Sequence, residues 1–183
     1  MSVAETVRQE LPTGTWRTDP IHSSLGFSAR HMGVGTFRGQ VPSFAAELVV
    51  DRERASLVGS ARPDTIVTPD PNLTGHLLAP DWFDVERYPE ARFASRRVAL
   101  VDGRLEVEGD LLVKDSTTPV TLTGTVVGPE KDPYGGERIG IDLQGTVDRF
   151  DLGLRWDMPL PGGGLVVGRE VRLTASLELK REG

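Results

Sequence analysis

The chain has 183 residues, and its formal net charge of −6 comes from 27 acidic and 21 basic side chains. A phosphate backbone would be repelled by this charge, so the sequence predicts no binding of nucleic acid. The absence of cysteine excludes disulfides and thiolate metal sites. No stretch approaches the roughly 20 apolar residues that a membrane-spanning helix needs, so no transmembrane segment is predicted.

Length and composition predict one domain with its own core. We place this domain at residues 14–181, after a flexible segment at residues 1–13. Residues 1–12 have no basic start, no apolar stretch and no small-residue cleavage site, so no secretory signal is predicted. The sequence therefore predicts a cytoplasmic location.

The first half of the chain is predicted to be mostly extended. Its predicted strands lie at residues 15–27, 36–50 and 55–61. One short helix is predicted at residues 73–84, because Pro69 and Pro71 precede it and Pro80 limits its length.

The second half shows the period of two that is typical of half-buried strands. Asp102-Gly103 follows one such segment and precedes another, which predicts a two-residue hairpin turn. The same alternation returns at residues 136–148 and 171–180. Further turns are predicted at Gly128-Pro129, Asp132-Pro133, Gly135-Gly136 and residues 161–164.

Long strands without crossover helices indicate an antiparallel sheet that stacks or closes on itself. Closure removes exposed sheet edges, and strands of this length favour a barrel over a sandwich. The sequence therefore predicts an all-β fold, a closed antiparallel barrel of about eight strands with one short helix.

The sequence contains no recognisable catalytic or metal-binding motif. His22, His31 and His76 are the only histidines, and their spacings of 9 and 45 residues do not match a metal site on one helix face. We therefore predict no metal site and no cofactor. The glycines at residues 33–39 do not match a phosphate-binding loop either.

Four short segments combine with order and spacing that resemble one known family. They are WRTDPIHSSLGFSARH at residues 16–31, GTFRG at residues 35–39, DWFDV at residues 81–85 and RFDLGL at residues 149–154. In this order they resemble the YceI-like family of polyisoprenoid-binding proteins, over roughly residues 14–179.

This resemblance implies an extended, lipocalin-like barrel with a long isoprenoid chain in its apolar lumen, often in a homodimer. Burying each CH₂ group is worth about 0.8 kcal/mol, so an apolar tunnel can hold a prenyl chain with few directional contacts. The candidate ligand-binding residues are the large aromatics and one histidine that could meet a head group: Phe27, His31, Phe37, Phe44, Trp82, Phe83, Phe93, Phe150 and Trp156. Trp16 is expected outside this set, as a plug at one barrel end.

Several smaller features keep two interpretations each. Arg30 and Arg38 are either solvated or neutralise a pyrophosphate head at the barrel mouth. The glycines at residues 162–164 form a flexible turn that could also act as a gate. The carboxylates of Asp81, Asp84 and Glu86 either flank the helix or include the pair that a glycosidase would place across a cleft, and the first is expected.

Three hypotheses for function follow. The first is a non-catalytic carrier or store of an isoprenoid lipid, such as a prenyl quinone or a polyprenyl phosphate. The second is a small barrel hydrolase or isomerase that uses His31 or His76 with a carboxylate. The third is an interaction module whose interior is filled by its own side chains.

Overall fold

The computed structural model describes residues 10–183. Within them the chain forms ten β-strands, one α-helix and one 3-10 turn. The strands are β1 Gly14–Thr18, β2 Ser24–His31, β3 Gly35–Gln40, β4 Phe44–Val50, β5 Ala55–Ala61, β6 Ala91–Val101, β7 Arg104–Val113, β8 Ser116–Lys131, β9 Glu137–Asp148 and β10 Val167–Arg181. Helix α1 spans Pro71–Leu78, and the 3-10 turn spans Pro63–Thr65.

The strands pair antiparallel and close into a ring. Strands β4 to β10 pair in sequence order, and β1 lies between β10 and β4, which completes a circuit of eight strands. One edge of β10 is shared by two strands: β2 pairs with its first part and β1 with its last residues. Strand β3 then pairs with β2. The predicted closed antiparallel barrel of about eight strands with one short helix is therefore confirmed.

The predicted strand at residues 15–27 is interrupted by a turn between β1 and β2. The Asp19 carboxylate accepts the backbone N–H of Ile21 at 3.0 Å, and the Asp19 carbonyl accepts that of His22 at 3.3 Å. Short acidic side chains favour such turns because they bond to their own backbone two residues on. One long predicted strand thus becomes two that share the same edge of β10.

Two prolines explain further departures from the predicted strand boundaries. The predicted strand at residues 36–50 is divided into β3 and β4 around Pro42, which lacks the N–H that a continuous ladder needs. The turn predicted at Gly128-Pro129 is instead an irregularity inside β8, where the pairing with β9 shifts between Val127 and Glu130. A β-bulge leaves residues unpaired without ending the strand, so it accommodates a proline.

Helix α1 is shorter than predicted. The Asp70 carboxylate accepts the first free backbone N–H groups of the helix, and the helix ends at Leu78, two residues before Pro80. The chain then folds back in turns, with the Phe83 N–H donating to the Leu77 carbonyl at 3.0 Å. No helix in residues 10–183 is long and apolar enough to cross a membrane.

The two-residue hairpin between β6 and β7 is confirmed. Asp102 and Gly103 both have positive φ values, 51° and 77°, as the turn type requires. The flexible segment predicted at residues 1–13 falls largely on residues 1–9, which lie outside the described residues. Leu11 packs against the barrel core, so the contacts of the domain begin before Gly14.

The buried apolar side chains form two clusters, each containing one fully enclosed tryptophan. Trp16 belongs to the first cluster, and its indole N–H donates to the Pro12 carbonyl at 3.0 Å. Trp82 belongs to the second cluster, and its buried indole N–H has no acceptor among the described residues. A buried donor without a partner costs free energy that a paired donor does not.

Charged side chains hold together the barrel end where β1, β9 and β10 meet. The buried Asp19 carboxylate accepts from Arg138 at 2.9 Å, lies 3.1 Å from His22 Nδ1 and lies 3.0 Å from Lys180 Nζ. The Arg138 guanidinium, followed by His22 and Lys180, holds the pKa of the Asp19 carboxyl far below its ordinary value. Arg138 also binds the Glu178 carboxylate at 2.5 Å, so it joins two elements through one guanidinium.

Replacing Asp19 with Asn should lower the free energy of unfolding at pH 7, and this loss should shrink as the pH falls below about 4. A carboxyl whose pKa is lower in the folded state stabilises the fold above its unfolded pKa, and the effect disappears as the pH falls toward the folded value. Urea unfolding measured across this range tests the expectation. Asp142→Asn, an exposed position on β9, is the control, and a loss independent of pH would contradict the account.

The two tryptophans offer a matched pair of substitutions, because an arginine lies over each ring at similar distance, 5.3 Å for Trp16 and 5.0 Å for Trp82. Trp16→Phe leaves the Pro12 carbonyl without its donor, whereas Trp82→Phe removes a donor that has no partner. We expect Trp16→Phe to cost about 1 kcal/mol more than Trp82→Phe in the free energy of unfolding. Denaturant titration measures both, and an equal or reversed cost would contradict the assignment.

Candidate ligand-binding site

The barrel interior contains a cavity of about 220 Å³ whose walls are almost wholly apolar. Strands β2 to β10 all contribute lining residues, and the two charged side chains among them are Arg92 and Arg149. Strand β1 does not contribute, because the first cluster with Trp16 fills that end of the barrel. The predicted place of Trp16, outside the lumen at one barrel end, agrees with this arrangement.

The alternation along β10 shows how the strands build the wall. Its inward residues Val171, Leu173, Ala175 and Leu177 line the cavity, and the residues between them include the exposed Arg172 and Ser176. Leu173 is only half buried although the barrel surrounds it. Part of its surface faces the cavity instead of a neighbouring side chain, which is the property of a lumen and not of a filled core.

Glycines opposite two phenylalanines fix the orientation of their rings. A Cβ atom at Gly39 would lie 2.3 Å from the ring of Phe27, which pairs with it across β2 and β3. A Cβ atom at Gly109 would lie 2.5 Å from the ring of Phe93. Each ring thus lies over a glycine backbone that no other residue would leave accessible.

A second pocket of about 400 Å³ adjoins the first cavity. The two share the lining residues Phe37, Leu77, Trp82 and Val167, so these side chains lie between the two spaces. The second pocket also meets His31 and His76, which are exposed at the surface. The volume of the second pocket falls within the range of about 300–1,000 Å³ that is usual for small-molecule sites.

Three aromatic rings form one wall of the second pocket. Helix α1 supplies His76, the turn after it supplies Trp82, and the loop before β10 supplies Trp156. The ring centroids of Trp82 and Trp156 are 5.6 Å apart, and the His76 ring meets both edge-on, at 6.2 and 5.3 Å. Aromatic rings beside an imidazole suit a ligand group that is both aromatic and polar.

Arg149 is fully buried and anchors the loop that carries Trp156. Its guanidinium donates to the carbonyls of Gly168, Leu154, Trp156 and Val167 at 2.6 to 3.0 Å. Burial lowers the pKa of this guanidinium, and Trp82 lies beneath it with the ring centroid 5.0 Å away. One side chain therefore fixes the positions of both tryptophans at the junction of the two cavities.

The structure brings most of the predicted ligand-binding residues together. Phe27, Phe44, Phe83 and Phe93 line the first cavity, His31 and Trp156 line the second, and Phe37 and Trp82 line both. Phe150 lines neither of the two. The guanidiniums of Arg149 and Arg169 lie over its ring at 4.8 and 4.4 Å, because residue 150 begins the turn that follows β9.

The histidines do not form the acid–base pair that the enzyme hypothesis requires. In the described part of the chain, the ion pair between a histidine and a carboxylate is that of His22 with Asp19, at the opposite end from the second pocket. Asp19, His22 and Glu178 bring three ligand-type atoms close together. Arg138 and Lys180 already balance the carboxylates there, so this cluster needs no metal ion to compensate its charge.

Sequence reasoning missed the small residues and the arginine that shape the site. Gly59, Ala61 and Ala91 line the first cavity. A small inward residue gives the same sequence pattern whether it borders a cavity or packs against another side chain, so the sequence does not distinguish the two. Arg149 had a usable signal. Arg149 occupies a position at the end of β9 where the alternation of the strand calls for a buried apolar residue. A buried guanidinium needs several hydrogen-bond partners, so such a position indicates a structural role.

Comparison with solved structures gives the same barrel. BcnA of Burkholderia cenocepacia superposes with a TM-score of 0.74 and 20% identity, over 90% of this chain and 99% of that chain. A polyisoprenoid-binding domain from Saccharophagus degradans, implicated in plant cell wall breakdown, superposes with a TM-score of 0.68 and 12% identity, over 93% and 100% of the two chains.

The chain is also similar in sequence to known proteins. A UPF0312 protein of Photorhabdus laumondii subsp. laumondii is 30% identical over 140 residues, which cover 75% of this chain and 73% of that protein. A UPF0312 protein of Staphylococcus epidermidis is 28% identical over 164 residues, covering 87% and 94%. The model of the YceI-like domain matches residues 16–179, which is nearly the whole barrel. This chain belongs to the YceI-like family.

Proposed function

We propose that this protein binds a long isoprenoid or similar amphiphilic lipid in its barrel lumen, and carries or stores that lipid without catalysing a reaction. The observation that supports this most is an apolar cavity in the barrel that adjoins a pocket edged by two imidazoles. An amphiphile has the same division, with a hydrocarbon chain at one end and a polar head at the other. The polyisoprenoid-binding domain of Saccharophagus degradans has the same fold, which adds support.

The energetics favour a ligand held by its chain. Each CH₂ group moved from water into the apolar cavity contributes about 0.8 kcal/mol. A chain of a few isoprene units therefore gains enough to offset the cost of association without any hydrogen bond inside the barrel. Hydrophobic contact is non-directional, so such a site sorts ligands by length and shape more than by chemistry.

The head group belongs, on this proposal, in the second pocket, beside His31 and His76. A prenyl quinone and a polyprenyl phosphate are the two candidate ligands. The indole rings of Trp82 and Trp156 favour the quinone, because its ring can pack against an aromatic side chain. Arg30 is directed into its own hairpin, where it donates to Thr36 Oγ1 at 3.2 Å and to the Gly33 carbonyl at 3.0 Å, so it offers little to a phosphate.

The absence of a histidine–carboxylate pair at the pocket supports a binding role over the hydrolase or isomerase hypothesis. General acid–base catalysis needs both groups within reach of one bound substrate. Cytoplasmic location and a homodimer stay predictions. Fractionation of the native cells tests the location, and light scattering coupled to gel filtration tests the oligomeric state.

Native mass spectrometry of the purified protein, followed by solvent extraction, tests the proposed function directly. We expect a one-to-one adduct with the mass of an isoprenoid lipid, or uptake of a short-chain prenyl quinone or a polyprenyl phosphate added afterwards. If the protein carries no lipid and takes up neither probe, the proposal is wrong. Stronger binding of the phosphate than of the quinone would reverse the preference for the head group.

Neighbouring residues on β10 provide a matched test of the lumen. Ala175 lines the cavity, whereas Ser176 is exposed on the outer face of the same strand. A phenyl group at residue 175 would occupy the path of the chain, so Ala175→Phe should weaken binding of a prenyl quinone by about ten-fold or more. Ser176→Phe should leave binding unchanged. Fluorescence titration measures both variants, and equal affinities would place the ligand outside the barrel.

A further inference from the structure

The indole N–H of Trp82 is a hydrogen-bond donor that residues 10–183 leave without an acceptor. The residue is 4% exposed, so bulk water does not satisfy this group. The other fully enclosed indole, that of Trp16, donates to the Pro12 carbonyl at 3.0 Å. A buried donor without a partner costs free energy, so the acceptor of the Trp82 N–H has to be accounted for.

Trp82 borders both spaces of the candidate site. Its side chain lines the apolar cavity of the barrel and also the second pocket, which His31 and His76 edge. The unpaired donor therefore belongs to a residue that lies between the two spaces. On the proposed function, this is the boundary between the chain and the head group of the ligand.

The side chains that surround the indole do not satisfy its N–H. The Arg149 guanidinium lies 5.0 Å from the ring centroid, and the Trp156 ring centroid lies 5.6 Å from it, but both of these side chains have donors only. The His76 ring meets the indole edge-on, 6.2 Å between centroids, and makes no hydrogen bond with it. An acceptor therefore has to enter the site from outside the described residues.

The described contacts of Arg149 occupy its guanidinium. It donates to four backbone carbonyls, and the carboxylates of Asp148 and Asp157 act on its charge from nearby. The unpaired donor among the described side chains at this junction is thus the neutral Trp82 N–H. A phosphate buried beside it would leave charged oxygens unpaired, which is costly, whereas one uncharged oxygen matches one N–H.

We propose that Trp82 Nε1–H donates to an uncharged carbonyl oxygen of the bound lipid, and that Trp82 thereby selects a prenyl quinone over a plain prenyl hydrocarbon. The inference rests on the proposed function and goes beyond it by naming the donor that recognises the head group. In a prenyl benzoquinone, one carbonyl carbon is bonded to the ring carbon that bears the chain. Its oxygen lies where chain and head meet, which corresponds to the place of Trp82 between the two spaces.

The Trp82 nitrogen is covered by its neighbours in the structure. The quinone oxygen therefore reaches it when a neighbouring side chain moves aside, as side chains commonly do when a partner binds. The Trp156 ring is partly exposed, so it can rotate while Arg149 holds its backbone.

The test compares two ligands with the same chain, a short-chain prenyl benzoquinone and the matching prenylbenzene, which has no oxygen. Calorimetric titration of the full chain measures both affinities. Trp82→Phe keeps an aromatic ring and removes the N–H, so we expect it to weaken binding of the quinone about ten-fold more than binding of the prenylbenzene. The smaller ring affects both ligands, so the ratio of the two affinities isolates the hydrogen bond. Trp16→Phe alters a tryptophan outside the cavity lining and should leave the ratio unchanged.

Infrared spectroscopy of the bound quinone detects the hydrogen bond without a substitution. Accepting a hydrogen bond weakens the C=O bond, so one carbonyl band should lie at lower frequency in the unaltered protein than in a hydrocarbon solvent. Trp82→Phe should remove that shift, and Trp16→Phe should keep it.

An unshifted carbonyl band in the unaltered protein, or equal losses for the quinone and the prenylbenzene in Trp82→Phe, would overturn the proposal while the proposed function stands. Tighter binding of a polyprenyl phosphate than of the quinone would overturn the choice of an uncharged oxygen. If the unaltered protein binds neither the quinone nor the prenylbenzene, the proposed function itself fails, and this inference fails with it.

Discussion

The closure of the barrel on β10 is the constraint on which the other features depend. One edge of this strand pairs with β9, and the other pairs with β2 along its first part and with β1 at its end. Because β1 and β2 pair with different parts of that edge, the two ends of the barrel differ. Beside β1 the interior is filled around Trp16, whereas beside β2 the wall continues upward and encloses a cavity.

The cavity persists because the backbone ladder, and not the side chains, sets the distance between the walls. Eight paired strands fix the barrel diameter, so small inward residues such as Gly59 and Ala175 leave space that their neighbours cannot fill. The ring of Phe27 lies over Gly39 of the neighbouring strand, and the ring of Phe93 lies over Gly109 in the same way.

The interior changes its chemistry from one end of the barrel to the other. An ion network around Asp19 lies at the closed end, apolar walls follow, and aromatic and imidazole rings surround the mouth. Arg149 connects the last two regions, since it binds the loop backbone and lies over Trp82. The last two regions have the division that the proposed amphiphilic ligand requires, with apolar walls for the chain and polar rings at the mouth.

The sequence by itself determined the antiparallel barrel, the hairpin at Asp102-Gly103 and the family, because period-two alternation and turn chemistry are local properties. It also identified most of the aromatics that line the lumen. Only the tertiary structure decided that Phe150 lies under two arginines, that the long first strand breaks at Asp19, and that Arg149 sits between the cavities. These depend on contacts between residues far apart in the chain. Whether an inward side chain meets a neighbour or an open space is a property of the closed barrel, and no local pattern contains it.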